Sequence, residues 1–152
     1  MSFRSVIVVV AGLLLAACGP TKHARMVPFE KRELRCMQQY RNGDIQEAKQ
    51  ALLDHFSLVE EEETSGLPFA KTGYTKALIA ARLALVYQQL GETNLANQEL
   101  STCVADARKD AQQEGNRSLL EKTDAQVLFL MTNAVNQLDE NTRPKWRLAS
   151  AR

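Results

Sequence analysis

A turn that recurs at a fixed interval constrains the fold of this chain more than any other feature of its sequence. Gly43-Asp44 is followed by Gly91-Glu92 and then by Asp139-Glu140, each 48 residues after the one before. Between these turns the apolar residues recur at steps of three and four, which is the spacing of an amphipathic helix. A period of this length is typical of stacked helical units. The sequence therefore predicts an all-α fold of antiparallel helical hairpins.

The composition also favours helix. Ala, Leu, Gln, Glu and Lys dominate the chain, and its 152 residues include only 7 Gly and 4 Pro. The apolar spacing predicts about five helices separated by Gly-containing turns, with a longer loop at 64–73. These helices cover about residues 29–42, 45–63, 74–90, 92–114 and 118–138.

The second helix carries recognisable signals at both ends. Asp44 is a favourable N-cap, and Glu47 stands three residues later, where it can complete a capping box. At the other end Glu60 to Glu63 place four carboxylates in the last turn, where they repel each other and oppose the helix dipole. We expect the helix to fray there. The acidic run could bind a cation, but a solvated helix face is the simpler interpretation.

The centre of the fifth helix, Val127 to Met131, is apolar on every side. A helix of this kind either packs against neighbours on more than one side or exposes a patch to a partner. The sequence does not distinguish these two arrangements.

The middle hairpin resembles the tetratricopeptide repeat, in which small residues let two helices approach closely and large ones fill the space between them. The matching residues are Leu83, Ala84, Tyr87, Gly91, Ala96, Leu100 and Cys103. The period of that family is about 34 residues, so the hairpins here are longer, and the proline that closes a family repeat is absent. The resemblance implies a tetratricopeptide-like array of about five helices. The alternative is a plain bundle of four or five helices whose turns coincide.

In tetratricopeptide arrays the first helices of successive units line a concave groove that holds partner peptides. Carried over onto this sequence, the resemblance implies groove positions that are mostly amides, which can hydrogen-bond an extended backbone without a charged partner. The alternative is that these residues are solvated faces of amphipathic helices. The implied partner-binding residues are Tyr40, Arg41, Gln88, Gln89, Asn133, Asn136 and Gln137, with Met37 and Leu85 beside them.

The N-terminus has the layout of a secretory signal. Arg4 precedes an apolar run from Val6 to Leu14, far shorter than the roughly 20 residues that span a bilayer as a helix. Leu15-Ala16-Ala17-Cys18 then resembles the lipobox of bacterial lipoproteins at all four positions. The resemblance implies cleavage before Cys18 and acylation of its thiol and new amine, and two or more acyl chains anchor a protein stably. The alternative is an ordinary signal peptide with a chance Cys.

Four segments follow from these features. They are a lipoprotein signal peptide (1–17), a lipidated tether (18–28), a helical repeat domain (29–140) and a flexible basic tail (141–152) that contains Trp146. Gly19 after the Cys resembles the outer-membrane default of enterobacterial sorting, so we expect a lipid-anchored envelope protein, at the outer membrane and facing the periplasm.

The formal net charge is +1 with both signs interspersed, which argues against electrostatic binding of nucleic acid.

Two further cysteines, Cys36 and Cys103, remain besides Cys18. An oxidising compartment would allow a disulfide between them, and the alternative is two buried small apolar side chains. No CxxC motif or Cys/His cluster predicts a metal.

No sequence motif indicates an enzyme, a cofactor or a small-molecule substrate. The chain has two His, and His55 stands among apolar residues as a packing residue would. Asp106, Asp110 and Glu114 share a helix face, but cationic residues lie between them, as on a solvated helix. The sequence therefore favours a binding protein.

The resulting expectation is a periplasmic adaptor or scaffold, anchored to the outer membrane, that binds a protein partner through a helical-repeat groove. The alternative is a small helical-bundle lipoprotein that acts as an inhibitor or immunity protein.

Replacing Cys18 by Ser should abolish acylation, because the hydroxyl is not the sulfur nucleophile that the modification requires. Metabolic labelling with palmitate should fall to background, and the variant should leave the membrane fraction without detergent. Labelling that persists in Cys18→Ser would exclude Cys18 as the anchor, and Cys36→Ser, which should label normally, is the control.

Overall fold

The computed structural model of the chain describes residues 22–65 and 72–149, and the elements in these ranges are all α-helices. The all-α prediction is confirmed. The helices are α1 (Lys22–Asn42), α2 (Ile45–Thr64), α3 (Thr72–Gln89), α4 (Thr93–Gln113), α5 (Arg117–Leu120), α6 (Asp124–Thr142) and α7 (Lys145–Ala149). The predicted signal peptide and Cys18 lie outside the described residues. Among the helices that are described, none is long and apolar enough to cross a membrane.

The five long helices, α1 to α4 and α6, form two antiparallel hairpins and one further helix. α1 packs against α2 across a short turn, α3 packs against α4 across another, and α2 also lies against α3. α6 then covers both α3 and α4. One buried cluster lies between α1, α2, α3, the start of α4 and α7, and a second lies between α3, α4 and α6. The predicted helical-hairpin fold is therefore confirmed.

The first two turns form as their sequences predict. The side chain of Asp44 accepts hydrogen bonds from the amides of Gln46 and Glu47, while the Glu47 carboxylate accepts one from the Asp44 amide, all at 2.9 Å. This is the predicted capping box. Gly91 has a φ of 75°, a left-handed conformation that glycine adopts without strain, and it follows the end of α3.

The prediction of a third turn at Asp139-Glu140 is wrong. α6 continues through it to Thr142, because neither residue interrupts a helix as glycine does and because Asp139 is held inside the fold. Another break comes earlier than expected. The predicted fifth helix is divided into α5 and α6 by residues 121–123, where Thr123 and Gln126 form a second capping box.

The boundary of the predicted tether also changes. α1 begins at Lys22 rather than at Phe29, so only residues 18–21 of the tether lie outside the described residues. Residues 22–27 contain neither glycine nor proline, and nothing in them stops a helix from extending toward the N-terminus. Pro28 is accommodated inside α1.

The acidic end of α2 does not fray as predicted. Glu61 pairs with Arg32 of α1 at 2.7 Å. The Glu63 carboxylate accepts hydrogen bonds from Lys76 of α3 at 2.6 Å and from Lys109 of α4 at 2.8 Å. These contacts lower the pKa of Glu63 to about 2, and the contact with Lys109 has the largest effect. Cations from three other helices thus offset the repulsion among the carboxylates, and α2 extends to Thr64.

The C-terminal segment, predicted to be a flexible tail, is folded onto the domain instead. Pro144 is buried, α7 follows it, and Trp146 is only 3% exposed. The Trp146 ring meets the Tyr40 ring edge to face, with 5.8 Å between centroids and 65° between planes. Burial of the apolar area of Trp146 explains why the C-terminal segment docks on the domain. The positive charges around Trp146 either face solvent or are neutralised, so they do not oppose the docking. Residues 150–152 lie outside the described residues.

A buried carboxylate joins this segment to the rest of the fold. Asp139 of α6 is 2% exposed. Its carboxylate accepts one hydrogen bond from the Tyr40 hydroxyl at 2.6 Å and another from Arg82 Nε of α3 at 3.2 Å. Arg147 of α7 forms an ion pair with the same carboxylate, with Nη2 at 3.1 Å from Oδ2. Burial, followed by the neighbouring Asp139 charge, raises the pKa of Tyr40 well above its usual range, so the phenol remains a donor. Four helices therefore meet at one side chain.

Replacing Asp139 by Asn should lower the free energy of unfolding by about 3 kcal/mol, because two guanidinium groups lose their shared counter-charge inside the fold. Urea unfolding measures this difference. Trp146 is the single Trp of the chain, and its emission should shift to longer wavelength if α7 detaches.

The matched control is Glu140→Gln, one residue further on and exposed, which should change stability by less than about 0.5 kcal/mol. Equal stability of Asp139→Asn and Glu140→Gln would contradict the role assigned to the buried carboxylate.

Candidate protein-binding surface

The structure does not gather the predicted groove residues on one open surface. Tyr40 is fully buried, and its hydroxyl is bonded to Asp139. Asn136 is partly buried, and its side-chain oxygen accepts from Arg147 Nη1 at 3.2 Å. Both residues therefore hold the chain's own C-terminal segment and cannot serve a partner without displacing it. That they bind a partner directly stays a prediction, and in this conformation both residues contact other parts of the fold.

The other five predicted residues are distributed over three helices. Arg41 is half-buried on α1, and Gln88 and Gln89 are exposed at the end of α3. Gln89 lines a surface cavity of about 560 Å³ together with Lys145 and Trp146 of α7. α7 thus occupies the side of the array toward which several predicted groove residues point.

The remaining two, Asn133 and Gln137, lie on an exposed surface of α6. At 100° per residue they share one side of the helix with Gln126, Phe129 and Leu130, and all five are exposed. We call these five residues the α6 face. Phe129 is 66% exposed and Leu130 is 38% exposed. A cavity of about 320 Å³ lies beside them, bounded also by Lys122 and Ala125.

The opposite side of α6 explains why this face points outward. Val127 and Val135 are fully buried and Met131 is 6% exposed, all within the cluster shared with α3 and α4. These residues recur at four-residue steps and hold one side of the helix against the core. The apolar centre of the helix is thus divided between a packed side and an exposed side, so the second of the two predicted arrangements is the one observed.

Arg108 of α4 fixes where α6 begins. Its Nη1 donates to the Leu120 carbonyl at 3.2 Å, and its Nη2 donates to the Lys122 carbonyl at 2.9 Å and to the Asp124 carboxylate at 2.6 Å. One guanidinium therefore bridges α4, the end of α5 and the first turn of α6. This clamp holds the first half of the α6 face on a rigid support.

The α6 face is uncharged. Gln126, Asn133 and Gln137 are amides, and Phe129 and Leu130 are apolar. Centres of protein interfaces are depleted in charge and enriched in aromatic residues, because uncharged groups are less costly to dehydrate. A solvent-exposed Phe beside a Leu also leaves apolar area that a partner could bury. These properties are those of a protein-binding surface.

The predicted site therefore overlaps the observed surface only in part. Asn133 and Gln137 belong to both, whereas Phe129 and Leu130 were recognised in the sequence as part of an apolar centre but not as site residues. Helical spacing from the buried Val127 and Val135 could have assigned them to the outer side. The information lacking was which side of the helix packs on the core.

The three acidic residues predicted to share a face of the fourth helix differ in their surroundings. Asp110 accepts from the Tyr74 amide at 3.1 Å, Asp106 is partly buried, and Glu114 is exposed beyond α4. In the described parts of the chain, no group of three or more His, Cys, Asp or Glu residues is placed to hold a metal ion.

Cys36 and Cys103 are both free thiols, so the structure does not contain the disulfide that the sequence allowed. Cys36 is half-buried on α1, whereas Cys103 is fully buried in the cluster between α3, α4 and α6. Burial raises the pKa of both thiols, and that of Cys103 reaches about 12. Cys103 corresponds to the second of the two interpretations, a small apolar core residue.

Cys103 should resist alkylation in the folded chain, since at about pH 8 a thiol of this pKa is thiolate in only about one molecule in ten thousand. Cys36 should react slowly. Peptide mass spectrometry after maleimide treatment checks this, with treatment in concentrated urea as the control, where both thiols should react. If both stay unmodified in urea until a reductant is added, the thiols are paired and the assignment is wrong.

Comparison with known proteins does not supply a function for the α6 face. No protein-family model, curated protein or solved structure matches this chain.

Proposed function

We propose that this protein is a lipid-anchored adaptor of the bacterial envelope that binds a protein partner through the α6 face. The observation that carries the proposal is the exposure of Phe129 and Leu130 among uncharged amides on a rigid helix. A partner helix or loop that buries these two side chains would gain apolar contact without dehydrating a charge.

The position of α6 in the array favours this surface. α1 packs with α2, and α3 packs with α4, whereas the helix that follows α6 turns away and packs against α1. Arg143 has a φ of 44° and precedes the buried Pro144, which redirects the chain. The side of α6 on which another helix of the array would pack is therefore exposed and available to a partner.

The anchor would hold this surface close to the membrane. Three residues lie between Cys18 and the start of α1 at Lys22, and the four steps from Cys18 to Lys22 span at most about 14 Å in an extended chain. A domain tethered so closely meets partners that are themselves in or near the same membrane, so the local concentration of such partners is high. The lipobox residues Leu15 to Cys18 support this part of the proposal.

A second candidate is an inhibitor or immunity lipoprotein. The observation that favours it is that α7 covers Tyr40 and Asn136, so the array has an exposed apolar helix but not the open groove expected of a peptide-binding repeat. Both candidates use the α6 face, and they differ in what happens to the partner. A scaffolded partner retains its activity when bound, whereas an inhibited one loses it.

Site-specific photo-crosslinking tests the α6 face in living cells. A photoreactive phenylalanine analogue at position 129 should give one prominent adduct with an envelope protein. The same analogue at Leu34, which is 56% exposed on α1, is the matched control and should give little or none. Adducts of equal yield at both positions, or none at position 129, would contradict the proposed surface.

Affinity capture from detergent-solubilised membranes measures the contribution of the two side chains. The double variant Phe129→Ser/Leu130→Ser should recover at least about tenfold less of the crosslinked partner, since buried apolar anchors dominate interface energies. The control is Leu34→Ser/Leu95→Ser, which removes two exposed apolar residues elsewhere and should bind normally. Adding the purified chain to the captured partner then separates the candidates, because only an inhibitor reduces the partner's activity.

A further inference from the structure

A second surface feature lies away from the α6 face, where α1, α2 and the start of α3 meet. It is a cavity of about 150 Å³ lined by Glu30 and Glu33 of α1, His55 and Glu62 of α2, and Thr72 and Thr75 of α3. Leu58 and Val59, both buried, form its apolar floor. Its polar lining consists of three carboxylates, one imidazole and two hydroxyls.

His55 is the buried member of this set. It is 4% exposed, and neither of its ring nitrogens makes a hydrogen bond. Nε2 lies 3.5 Å from Glu33 Oε1, which is within range of an ion pair but long for a hydrogen bond. A buried polar group without a hydrogen bond is costly. His55 lines the cavity, where a bound donor could supply the bond that the fold does not.

The cavity also carries more negative than positive charge. Burial, then the nearby charge of Glu33, raises the pKa of Glu62, whereas the contact with His55 lowers that of Glu33. Arg32, which precedes Glu33 on α1, is paired with Glu61 at 2.7 Å. Among the described contacts, Glu33 is paired with His55 at 3.5 Å, and neither Glu30 nor Glu62 forms an ion pair with a Lys or Arg side chain.

We propose that this cavity binds a primary ammonium group, either the side chain of a lysine on a bound protein or a free aliphatic amine. An ammonium head offers three N–H donors and no acceptor, which complements carboxylates, hydroxyls and an imidazole nitrogen that lacks a hydrogen bond. The acidic residues of the cavity are not grouped closely enough to hold a metal ion among the described residues, but a larger organic cation can reach dispersed acceptors.

The dimensions are consistent with such a ligand. A volume of about 150 Å³ corresponds to about five water molecules at about 30 Å³ each, which accommodates an ammonium head and several methylene groups. The head would lie against Glu33, Glu62 and His55, and the methylene groups would lie over Leu58 and Val59. No residue of α6 lines the cavity, so this inference does not depend on the proposed function of the α6 face.

Nuclear magnetic resonance of the His55 ring tests the proposal directly. The chain has two His, so His23→Gln in the full-length chain leaves the ring signals of His55 alone. Cadaverine, a diamine, and N-acetyl-lysine methylamide, a lysine mimic, are the two probes. Either probe should shift the His55 signals in a saturable manner, whereas 1,5-pentanediol, which has the same chain length as cadaverine but no charge, should not.

The outcome with the two probes identifies the source of the ammonium group. Saturable binding of the lysine mimic alone supports a partner's lysine, binding of cadaverine alone supports a free amine, and binding of both shows that the head group is sufficient. If neither probe shifts the signals, or if 1,5-pentanediol shifts them equally, the proposal is overturned.

Substitutions of carboxylates inside and outside the cavity provide the matched comparison. Glu62→Gln should weaken binding of the effective probe at least about fivefold, because a charge-assisted hydrogen bond becomes a neutral one. Glu140→Gln removes an exposed charge of α6 that does not line the cavity and should leave affinity within about twofold. Glu30→Gln serves in place of Glu62→Gln if the latter unfolds. Equal affinity of the cavity and control variants would also overturn the proposal.

Discussion

The structure depends above all on the burial of one carboxylate, that of Asp139. It accepts from Tyr40 of α1 and Arg82 of α3 and is paired with Arg147 of α7, so helices from both hairpins and the C-terminal segment converge on it. Removing a carboxylate from water is costly unless charge and hydrogen bonds compensate, and here both do. Because a buried ion pair tolerates few alternative geometries, it also sets how the two hairpins and α7 are arranged relative to each other.

That arrangement decides which surfaces remain for a partner. With Trp146 against Tyr40 and Arg147 against Asn136, the C-terminal segment occupies part of the side on which a peptide groove was expected. The uncovered apolar area lies instead on the outer side of α6, supported from beneath by Val127, Met131 and Val135. The same helix thus contributes its inner side to the core, its C-terminal end to the buried carboxylate and its outer side to the proposed interface.

Two kinds of binding surface can be distinguished on physical grounds. The α6 face is uncharged, so apolar contact would supply its affinity and salt would affect it little. The cavity beside His55 is concave and acidic, so its affinity for a cation would weaken as ionic strength rises. A lipid-anchored adaptor could use both surfaces on one partner or on two, since they lie on different helices. The short chain between Cys18 and α1 would hold either surface near the bilayer.

The sequence by itself determined the all-α class, the helices α2, α3 and α4, the capping box at Asp44 and the turn at Gly91, because each of these depends on contacts within a few residues. It also determined that the centre of α6 is apolar. Tertiary structure alone decided the rest. Tyr40 and Asp139 are 99 residues apart in the chain, and Arg82 and Asp139 are 57 apart. Likewise Glu63 stabilises the end of α2 only through lysines on other helices. The repeat period indicated a turn at Asp139, and the local rule for carboxylates at a helix C-terminus indicated fraying at Glu63, because neither takes contacts with other helices into account. Which charges are neutralised, and which side of α6 is exposed, follows from how the helices pack.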